Sequence, residues 1–368
     1  MNNNSHIEKI NEGITEILTY IKKKTKKGPS KKGNYPFYNP SMELNRDISI
    51  ALNQWFIDNT NKSSISILDG LAASGIRGIR FANELEGNFT VYINDWSEIA
   101  YNLILKNIKN NEFNNIISSK KNLNVLLNEK KYDYIDIDPF GSPIYFIDSA
   151  IRSINKNGII ACTATDTATL CGVYPKVCIR RYGAYPFHSK NMHEIGLRIL
   201  IGHLGREAAK YDKGIKPIIS YSTDHYFRIY IKIIKGIQYA NESLKKIYSI
   251  NSKDYFYNIK NNQKIGPLWM GEIGNKNIIK KIIPYIFKKQ FNTKYELLKL
   301  LDLLEKESDA NPFFYSTDKI ASYLKKSTPN MDYLFKKLNE KDYYAIKTHF
   351  SDIVFKTDAP LNEIENIF

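Results

Sequence analysis

From residue 65 onward, short runs of β-branched and other apolar residues alternate with longer segments that have helical spacing. The apolar runs cover 65–69, 89–94, 132–138 and 158–165. Strands that alternate with helices in this way are typical of a parallel sheet with helices on both faces. The pattern therefore predicts an α/β domain that begins near residue 65.

Two later apolar runs depart from this pattern. They cover 217–222 and 226–233, and only a few residues around Asp224 and His225 separate them. So short a connection requires antiparallel pairing, because a parallel pair needs a long crossover. A hairpin that closes an otherwise parallel sheet is typical of methylases that use S-adenosylmethionine, whereas nicotinamide dehydrogenases keep parallel order there. The predicted fold is a Rossmann-like class I methyltransferase sheet, mostly parallel, with an antiparallel last strand.

The alternation of strands and helices stops near residue 236. Helical or alternating segments follow at 277–290, 294–306, 317–325, 329–338 and 343–350. The order of the last three resembles a winged helix, and a small helical domain with a solvated lysine face is the alternative. In a winged helix, four lysines would contact phosphates: Lys325, Lys326, Lys336 and Lys337. We predict two domains, 1–236 and a smaller α+β domain at 237–368.

The turn after the third apolar run carries the most specific chemistry, since Asp138, Pro139 and Phe140 follow one another there. An amine on a guanine or adenine ring is a poor nucleophile because its lone pair is delocalised, so a methylase must hold its hydrogens. The Asp138 carboxylate and the Pro139 carbonyl suit that role, and a base stacked on Phe140 would gain about 1 to 3 kcal/mol. We expect Ser142 to be the N-cap of the next helix and Pro143 its first residue. An ordinary strand-to-helix turn is the alternative.

The loop after the first apolar run begins at Asp69 and runs to Gly78, with small residues where a ligand must approach the backbone. A pyrophosphate-binding turn would have glycines at Ala72 and Ser74, so a smaller adenosyl ligand is favoured over a dinucleotide. Asp95 follows Gly75 by twenty residues. It ends the second predicted strand, where a carboxylate can accept both ribose hydroxyls.

Three further features bear on this site. Ser97 is available to cap the helix that follows Asp95, which would leave Asp95 for the ligand. Arg46 and Arg77 could contact the methionine carboxylate of the cofactor through a guanidinium fork, and a structural salt bridge is the alternative for either. His193 and Glu194 are expected at an exposed helix start and are assigned no catalytic role.

The charge of the chain indicates a polyanionic partner. The 368 residues carry a net charge of +15, with 43% hydrophobic and 13% aromatic content typical of a folded protein. Seven lysines fall within eleven residues that contain no acid: Lys22, Lys23, Lys24, Lys26, Lys27, Lys31 and Lys32. They precede Tyr35, Phe37 and Tyr38, aromatics that could stack on bases beside phosphate contacts. A mobile lysine-rich loop is the alternative.

Cysteine usage and apolar runs bear on the compartment. The three cysteines, Cys162, Cys171 and Cys178, form no Cys-x-x-Cys pair, which favours a reducing compartment and disfavours a zinc knuckle. No apolar run approaches the roughly 20 residues that span a bilayer, and the first residues lack signal-peptide character. We expect a cytoplasmic protein with no membrane association and no obligate protein partner.

Seven motifs in order resemble the tRNA (guanine-26 N2)-dimethyltransferase family over nearly the whole chain. In one-letter code they are FYNP at 37–40, LNRD at 44–47, SGIRG at 74–78, DPFGSP at 138–143, CTATD at 162–166, YG at 182–183 and GPLW at 266–269. The resemblance implies that Arg46, Arg77 and Asp95 bind S-adenosylmethionine and that Asp138 acts on the amine. It also implies that Phe37 and Phe140 hold the flipped guanine, and that residues 237–368 bind tRNA. Asp69, at the start of the small-residue loop, is a further expected cofactor-binding residue.

The chain departs from that family in two places. An Asp-Ala pair that usually touches the adenine corresponds to Asn122 and Leu123, so an amide replaces an acid. The Cys-x-x-Cys motifs that some members carry before GPLW are missing from 237–265, so we expect no metal. The expected function is methylation of N2 of guanosine 26 in tRNA, first once and then twice. Alternatives are a methylase of another amine, adenine N6 or a glutamine amide, and a non-catalytic tRNA-binding protein.

Overall fold

The protein is described from a computed structural model. The structure describes residues 5–22, 35–36, 38–111, 113–223, 225–257, 259 and 261–368. Phe37, Lys26 and Lys27 lie outside the described residues, as do the other lysines of the predicted basic cluster except Lys22.

The strands and helices alternate as predicted from residue 65, with a β-hairpin and a long helix before them. The strands are β1 (Ser5–Glu12), β2 (Thr15–Lys22), β3 (Ile65–Asp69), β4 (Phe89–Asn94), β5 (Ile116–Ser119), β6 (Tyr132–Ile137), β7 (Ile154–Ala164), β8 (Lys213–Ser222), β9 (Phe227–Lys235), β10 (Ile247–Asn251), β11 (Lys264–Trp269), β12 (Tyr315–Ser316), β13 (Ala345–Lys347) and β14 (Val354–Thr357). The helices are α1 (Glu43–Asp58), α2 (Ile76–Glu84), α3 (Glu98–Asn111), α4 (Leu123–Glu129), α5 (Ile144–Ser153), α6 (Thr167–Leu170), α7 (Pro175–Tyr182), α8 (Met192–Ala209), α9 (Ile237–Lys245), α10 (Ser252–Tyr255), α11 (Lys276–Lys288), α12 (Lys294–Glu307), α13 (Thr317–Leu324), α14 (Met331–Asn339) and α15 (Leu361–Glu365).

The main sheet has seven strands in the order β5-β4-β3-β6-β7-β9-β8. The pairs from β5 to β7 are parallel. All six residues of β6 are buried, as expected for a strand whose two faces are both covered. The Thr223 N–H donates to the Tyr226 carbonyl at 2.9 Å, which closes the turn between β8 and β9. The predicted fold, a mostly parallel sheet with an antiparallel last strand, is confirmed.

By packing, the chain divides into two compact units that interleave along the sequence. The first contains the described residues up to Thr165 together with 230–235 and 280–299, and the second contains 166–229, 236–279 and 300–368. The predicted domains, 1–236 and 237–368, are a different division and stay a prediction.

The C-terminal elements of the second unit follow the predicted winged-helix order. Helices α13 and α14 precede β13 and β14, which form a three-stranded antiparallel sheet with β12 in the order β12-β14-β13. Ile320, Leu334, Leu338 and Phe355 form the centre of a buried apolar cluster between these helices and strands. The sheet distinguishes this segment from the small helical domain that was the alternative.

The expected exposed helix start at His193 and Glu194 is wrong for Glu194. Its side chain is fully buried near the start of α8, where it accepts hydrogen bonds from Arg198 at 2.8 Å and from Lys356 at 2.8 Å. Burial alone would raise the pKa of Glu194, but the charges of Lys356 and Arg198 lower it to about 2. The acid is therefore an ionised structural element of the second unit.

Candidate active site

The turn 138–141 leaves β6 at the carboxyl end of the parallel strands. Asp138 and Pro139 are half-buried there, whereas Phe140 is 53% exposed. Gly141 has a φ of +90°, a conformation that favours glycine. The expected N-cap is wrong by one residue: α5 begins at Ile144 with Pro143 at its N-cap position, and Ser142 precedes it. The shift changes the helix start and leaves Asp138 at the strand end.

Thr165, at the end of β7, holds this turn. The Gly141 N–H donates to Thr165 Oγ1 at 2.6 Å, and the Thr165 N–H donates to the Gly141 carbonyl at 2.9 Å. Two reciprocal bonds thus connect the turn to the neighbouring strand. We therefore expect these two hydrogen bonds to hold Asp138, Pro139 and Phe140 in position.

Arg77 binds Asp138, a contact that the sequence analysis did not predict. Arg77 Nη2 donates to Asp138 Oδ2 at 2.5 Å, and the two side chains are 5% and 18% exposed. Arg77 Nη1 donates to Asn45 Oδ1 at 2.8 Å and to Ser49 Oγ at 2.9 Å, both on α1. Within the described part of the chain, Asp138 Oδ1 accepts no hydrogen bond. The guanidinium thus holds one carboxylate oxygen and leaves the other available.

The loop between β3 and α2 is held by its own backbone and by Asp69. The Gly70 N–H donates to the Asp136 carbonyl at 3.0 Å. Asp69 Oδ2 accepts from the Gly78 N–H at 2.9 Å. Burial raises the pKa of Asp69 to about 7, although the charge of nearby Arg77 opposes the change. In this structure Asp69 supports the start of α2, and its predicted contact with the cofactor stays a prediction.

Asp95 is fixed by backbone donors on both of its oxygens. Oδ2 accepts from the Ala73 N–H at 2.8 Å, and Oδ1 accepts from the Ser97 N–H at 2.9 Å. Ser97 Oγ accepts from the Ala100 N–H at 3.5 Å, the bond expected of a helix cap, although the Ser97 N–H also donates to Asp95. Burial raises the pKa of Asp95 above its usual value, and these N–H groups act against that. A carboxylate has about four lone-pair sites, so with three backbone N–H donors, those of Ala73, Trp96 and Ser97, Asp95 can still accept a hydroxyl.

Arg46 does not present the predicted fork. Its Nε donates to Glu12 Oε2 at 2.7 Å, its Nη2 bonds Glu12 Oε1, and the same Nη2 donates to the Asn39 carbonyl at 3.0 Å. The fork of Arg46 is therefore occupied by an acid of the first β-hairpin. Its role in cofactor binding stays a prediction, in which the remaining Nη1 group would contact the cofactor.

Asn122 and Leu123 lie where the resemblance places them, at the end of the loop after β5. Asn122 is the N-cap of α4, with Oδ1 accepting from the Asn124 N–H at 2.9 Å. Leu123 is buried, and a Cβ added to Gly70 would lie 2.8 Å from Leu123 Cδ1. The amide at position 122 thus keeps the capping role that an aspartate would also perform.

The predicted phosphate-binding lysines of the second unit lie on and before α14. Lys325, Lys326 and Lys336 are exposed. Lys337 is half-buried and forms a salt bridge of 2.7 Å with Glu340. Their contact with nucleic acid stays a prediction.

Several residues of the site were not predicted individually. Asn45 and Thr165 lie inside two motifs of the family resemblance, LNRD and CTATD. The motifs thus marked these positions, but the sequence indicated no role for either residue. Glu12 had no such signal, because the hairpin β1–β2 was not predicted.

The sheet order, the carboxylates at the strand ends and the acid-proline-aromatic turn define a class I methyltransferase. The family model of the N2,N2-dimethylguanosine tRNA methyltransferases matches residues 15–368. The chain belongs to this family, which confirms the resemblance drawn from its motifs.

Proteins of this family are similar to the chain over nearly its full length. The tRNA (guanine(26)-N(2))-dimethyltransferase of Methanobrevibacter smithii is 39% identical over 98% of this chain and 97% of its own length. The protein of the same name from Pyrococcus abyssi is 39% identical over 90% of this chain and 92% of its own length. A solved structure of Trm1 from Pyrococcus horikoshii with S-adenosyl-L-methionine has a TM-score of 0.86 and 35% identity, covering 98% of this chain and 99% of that one.

The described residues also bear on metal binding and on membrane insertion. Within the described ranges, no group of three or more His, Cys, Asp or Glu side chains could hold a metal ion. Of the helices in the described part of the chain, none is long and apolar enough to cross a membrane. The expectations of no metal and of a cytoplasmic location stay predictions.

Proposed function

We propose that this enzyme, an S-adenosylmethionine-dependent tRNA (guanine-26 N2)-dimethyltransferase, carries out its reaction at the turn 138–141, with Asp138 as the group that receives the proton of the amine. The observation that carries this proposal is the pair formed by Asp138 and buried Arg77. It fixes Oδ2 at 2.5 Å from the guanidinium, and among the described residues no group forms a hydrogen bond with Oδ1. Asp138 lies at the carboxyl end of a parallel strand, and ligands of α/β enzymes bind at these strand ends.

The residues present fit the cofactor that the family implies. The Asp95 carboxylate has a lone pair for a ribose hydroxyl, and the Arg46 Nη1 group can donate to a carboxylate. Asn122 and Leu123 border the start of α4, beside the close approach of Gly70. When bound, S-adenosylmethionine supplies a methyl group made electrophilic by its sulfonium.

The chain contributes position and proton transfer. Asp138 Oδ1 accepts one N–H of the guanine amine and the Pro139 carbonyl accepts the other, which orients the nitrogen lone pair. Transfer would form the N–C bond as the methyl–sulfur bond breaks and a neutral thioether leaves; the nitrogen would become positively charged, and its proton would pass to Asp138 Oδ1. Arg77 holds Asp138 throughout and is a positioning residue. For the second methylation, the remaining N–H must face Asp138.

Phe140 supplies a surface for the target base. Its ring is 53% exposed beside Asp138. A base stacked on an aromatic ring gains about 1 to 3 kcal/mol, comparable to the few kcal/mol that extruding a nucleotide costs. Phe37, which by the resemblance would hold the flipped guanine together with Phe140, lies outside the described residues.

Two basic surfaces support tRNA as the partner. One is the predicted set on and before α14, with exposed Lys325, Lys326 and Lys336. The other surrounds α7, where Lys176 and Arg180 are exposed beside Tyr174, which is 57% exposed. No acid occurs between Asp166 and Glu194. Cations interleaved with exposed aromatics suit the phosphates and bases of RNA.

The test is methylation of an unmodified tRNA transcript, with nucleosides analysed by mass spectrometry. With a transcript that has guanosine at position 26, wild type should form monomethylguanosine and then dimethylguanosine. With a transcript that has adenosine at this position, it should form neither product. Asp138→Asn should lose both products while still binding S-adenosylmethionine. Asp148→Asn, on the exposed face of α5 beside Arg152, is the matched control and should keep full activity. Methylation by Asp138→Asn at the control rate would refute the proposal.

A further inference from the structure

A cluster of buried charges connects the first β-hairpin with α1 and α2. Its members are Glu12 on β1, Arg46 and Asp47 on α1, and Arg80 and Glu84 on α2. The side chains of Glu12 and Arg80 are fully buried, and that of Arg46 is 6% exposed. Buried charges are costly unless they are paired and hydrogen-bonded, so the pairing within this cluster determines where each group points.

Glu12 takes one whole edge of the Arg46 guanidinium. Its Oε2 accepts from Arg46 Nε at 2.7 Å, and its Oε1 binds Arg46 Nη2 and accepts from the Tyr38 hydroxyl at 2.7 Å. Burial alone would raise the pKa of Glu12, but the charges of Arg46 and Arg80 lower it below its usual value. The side chain is therefore a carboxylate, and its bond to Arg46 is a charge-assisted fork.

The position of the Arg80 side chain depends much less on Glu12 than that of Arg46 does. Its Nη2 lies 2.7 Å from Asp47 Oδ1, and its Nε and Nη2 lie 2.7 and 3.0 Å from the two oxygens of Glu84. The contact from Arg80 Nη1 to Glu12 is longer, at 3.2 Å. Loss of the Glu12 charge would therefore leave Arg80 held by two other acids and would affect Arg46 most.

The guanidinium of Arg46 is planar, so the bonds at one edge determine the direction of the remaining nitrogen. Nη2 is also held by the Asn39 carbonyl at 3.0 Å. Among the described residues, none forms a hydrogen bond with Arg46 Nη1. The buried side chain thus has one donor group for which the described part of the chain provides no acceptor.

We propose that Glu12 is a positioning residue for the cofactor: it holds Arg46 by the Nε and Nη2 edge, so that Nη1 is presented to the carboxylate of the methionine moiety. The inference rests on the proposed role of Arg46 in binding S-adenosylmethionine. It assigns to the N-terminal hairpin a part in cofactor affinity, in addition to its packing against α2 and α3.

Calorimetric binding of S-adenosylmethionine to Glu12→Gln tests this inference. Glutamine keeps the size of the side chain but lacks the charge, and its amide cannot accept two donors at one edge. We expect the dissociation constant for S-adenosylmethionine to rise at least tenfold, with the rate at saturating cofactor within threefold of wild type. Glu16→Gln, on β2 of the same hairpin in an exposed pair with Lys9 at 2.8 Å, is the control and should bind as wild type does.

A double-mutant cycle with Arg46→Ala separates positioning from general loss of structure. If Glu12 acts through Arg46, the double variant binds S-adenosylmethionine no more weakly than Arg46→Ala alone. The inference is wrong if the dissociation constant of the double variant rises by the product of the two single fold increases. It is also wrong if folded Glu12→Gln binds S-adenosylmethionine as tightly as wild type. Should Glu12→Gln fail to fold, Tyr38→Phe removes only the bond at Oε1 and should raise the same dissociation constant two- to threefold, and unchanged binding would overturn the inference.

The outcomes for Arg46 and Asp138 remain distinct. Arg46→Ala that binds S-adenosylmethionine normally would overturn both the role of Arg46 and the inference about Glu12. Asp138→Asn that still methylates tRNA would refute the proposed catalysis and leave the calorimetric test of Glu12 intact.

Discussion

Replacing Thr165 by valine tests whether the attachment of the catalytic turn to β7 controls methyl transfer. Valine has the same shape as threonine and lacks the hydroxyl that accepts from the Gly141 N–H at 2.6 Å. The backbone bond from the Thr165 N–H to the Gly141 carbonyl, at 2.9 Å, would remain. The substitution therefore loosens the turn without detaching it.

The expected loss of stability is small and the expected loss of rate is larger. A buried N–H that loses its partner costs about 1 to 3 kcal/mol, and because Gly141 is half-buried, water can replace part of the bond. We expect the free energy of unfolding to fall by about 1 kcal/mol. Displacement of Asp138 and Pro139 by a fraction of an ångström should slow methyl transfer roughly tenfold, since about 1 Å of misplacement can cost a hundredfold.

The assay is a single turnover with saturating S-adenosylmethionine and tRNA, which reports the chemical step. Thr90→Val is the control, because Thr90 is also half-buried in the main sheet, on β4, and its hydroxyl has no hydrogen bond to any described residue. A Thr165→Val rate within twofold of that control would refute the argument that the turn depends on Thr165.

Three further predictions concern charged groups. Arg77→Lys keeps the charge but loses the planar fork that holds Asp138, so the single-turnover rate should fall about a hundredfold; a rate equal to wild type would mean that Arg77 does not position the acid. The pKa of Glu194 is about 2 in the folded protein against a usual 4.5, so its charge adds stability above pH 4.5 that is lost as the pH falls toward 2. Glu194→Gln should therefore lower the free energy of unfolding at pH 7 by roughly 3 kcal/mol and flatten its decline in acid, and urea titrations with an unchanged pH dependence would contradict this. Lys336→Ala with Lys337→Ala should weaken tRNA binding and reduce the salt slope by about 1 to 2; equal slopes would exclude these lysines from the interface.

The sheet and the strand-end acids could be predicted because the relevant signal is local. Short β-branched runs placed Asp69, Asp95 and Asp138 at the ends of β3, β4 and β6, where the structure has them. Strand β5 has only four residues, none of them fully buried, and gave no comparable pattern. Periodicity thus identifies a buried strand well and a short edge strand poorly.

The partners of the site residues could not be predicted, because they are distant in sequence. Glu12 meets Arg46 and Arg80, which are 34 and 68 residues away, and Glu194 meets Lys356 at a separation of 162. A polar residue in an alternating segment or at a helix start is usually exposed, and only tertiary pairing buries it. The same limit explains why the fork of Arg46 was expected to be open.

The most direct test of the central claim is the single-turnover rate of Asp138→Asn, measured with the dissociation constants for S-adenosylmethionine and tRNA. The amide preserves the shape of the side chain and cannot take the proton of the amine. The account predicts a rate lower by about 10² to 10⁴, the usual contribution of a general base, with both dissociation constants within threefold of wild type. A rate close to wild type with both ligands bound would show that another group receives the proton.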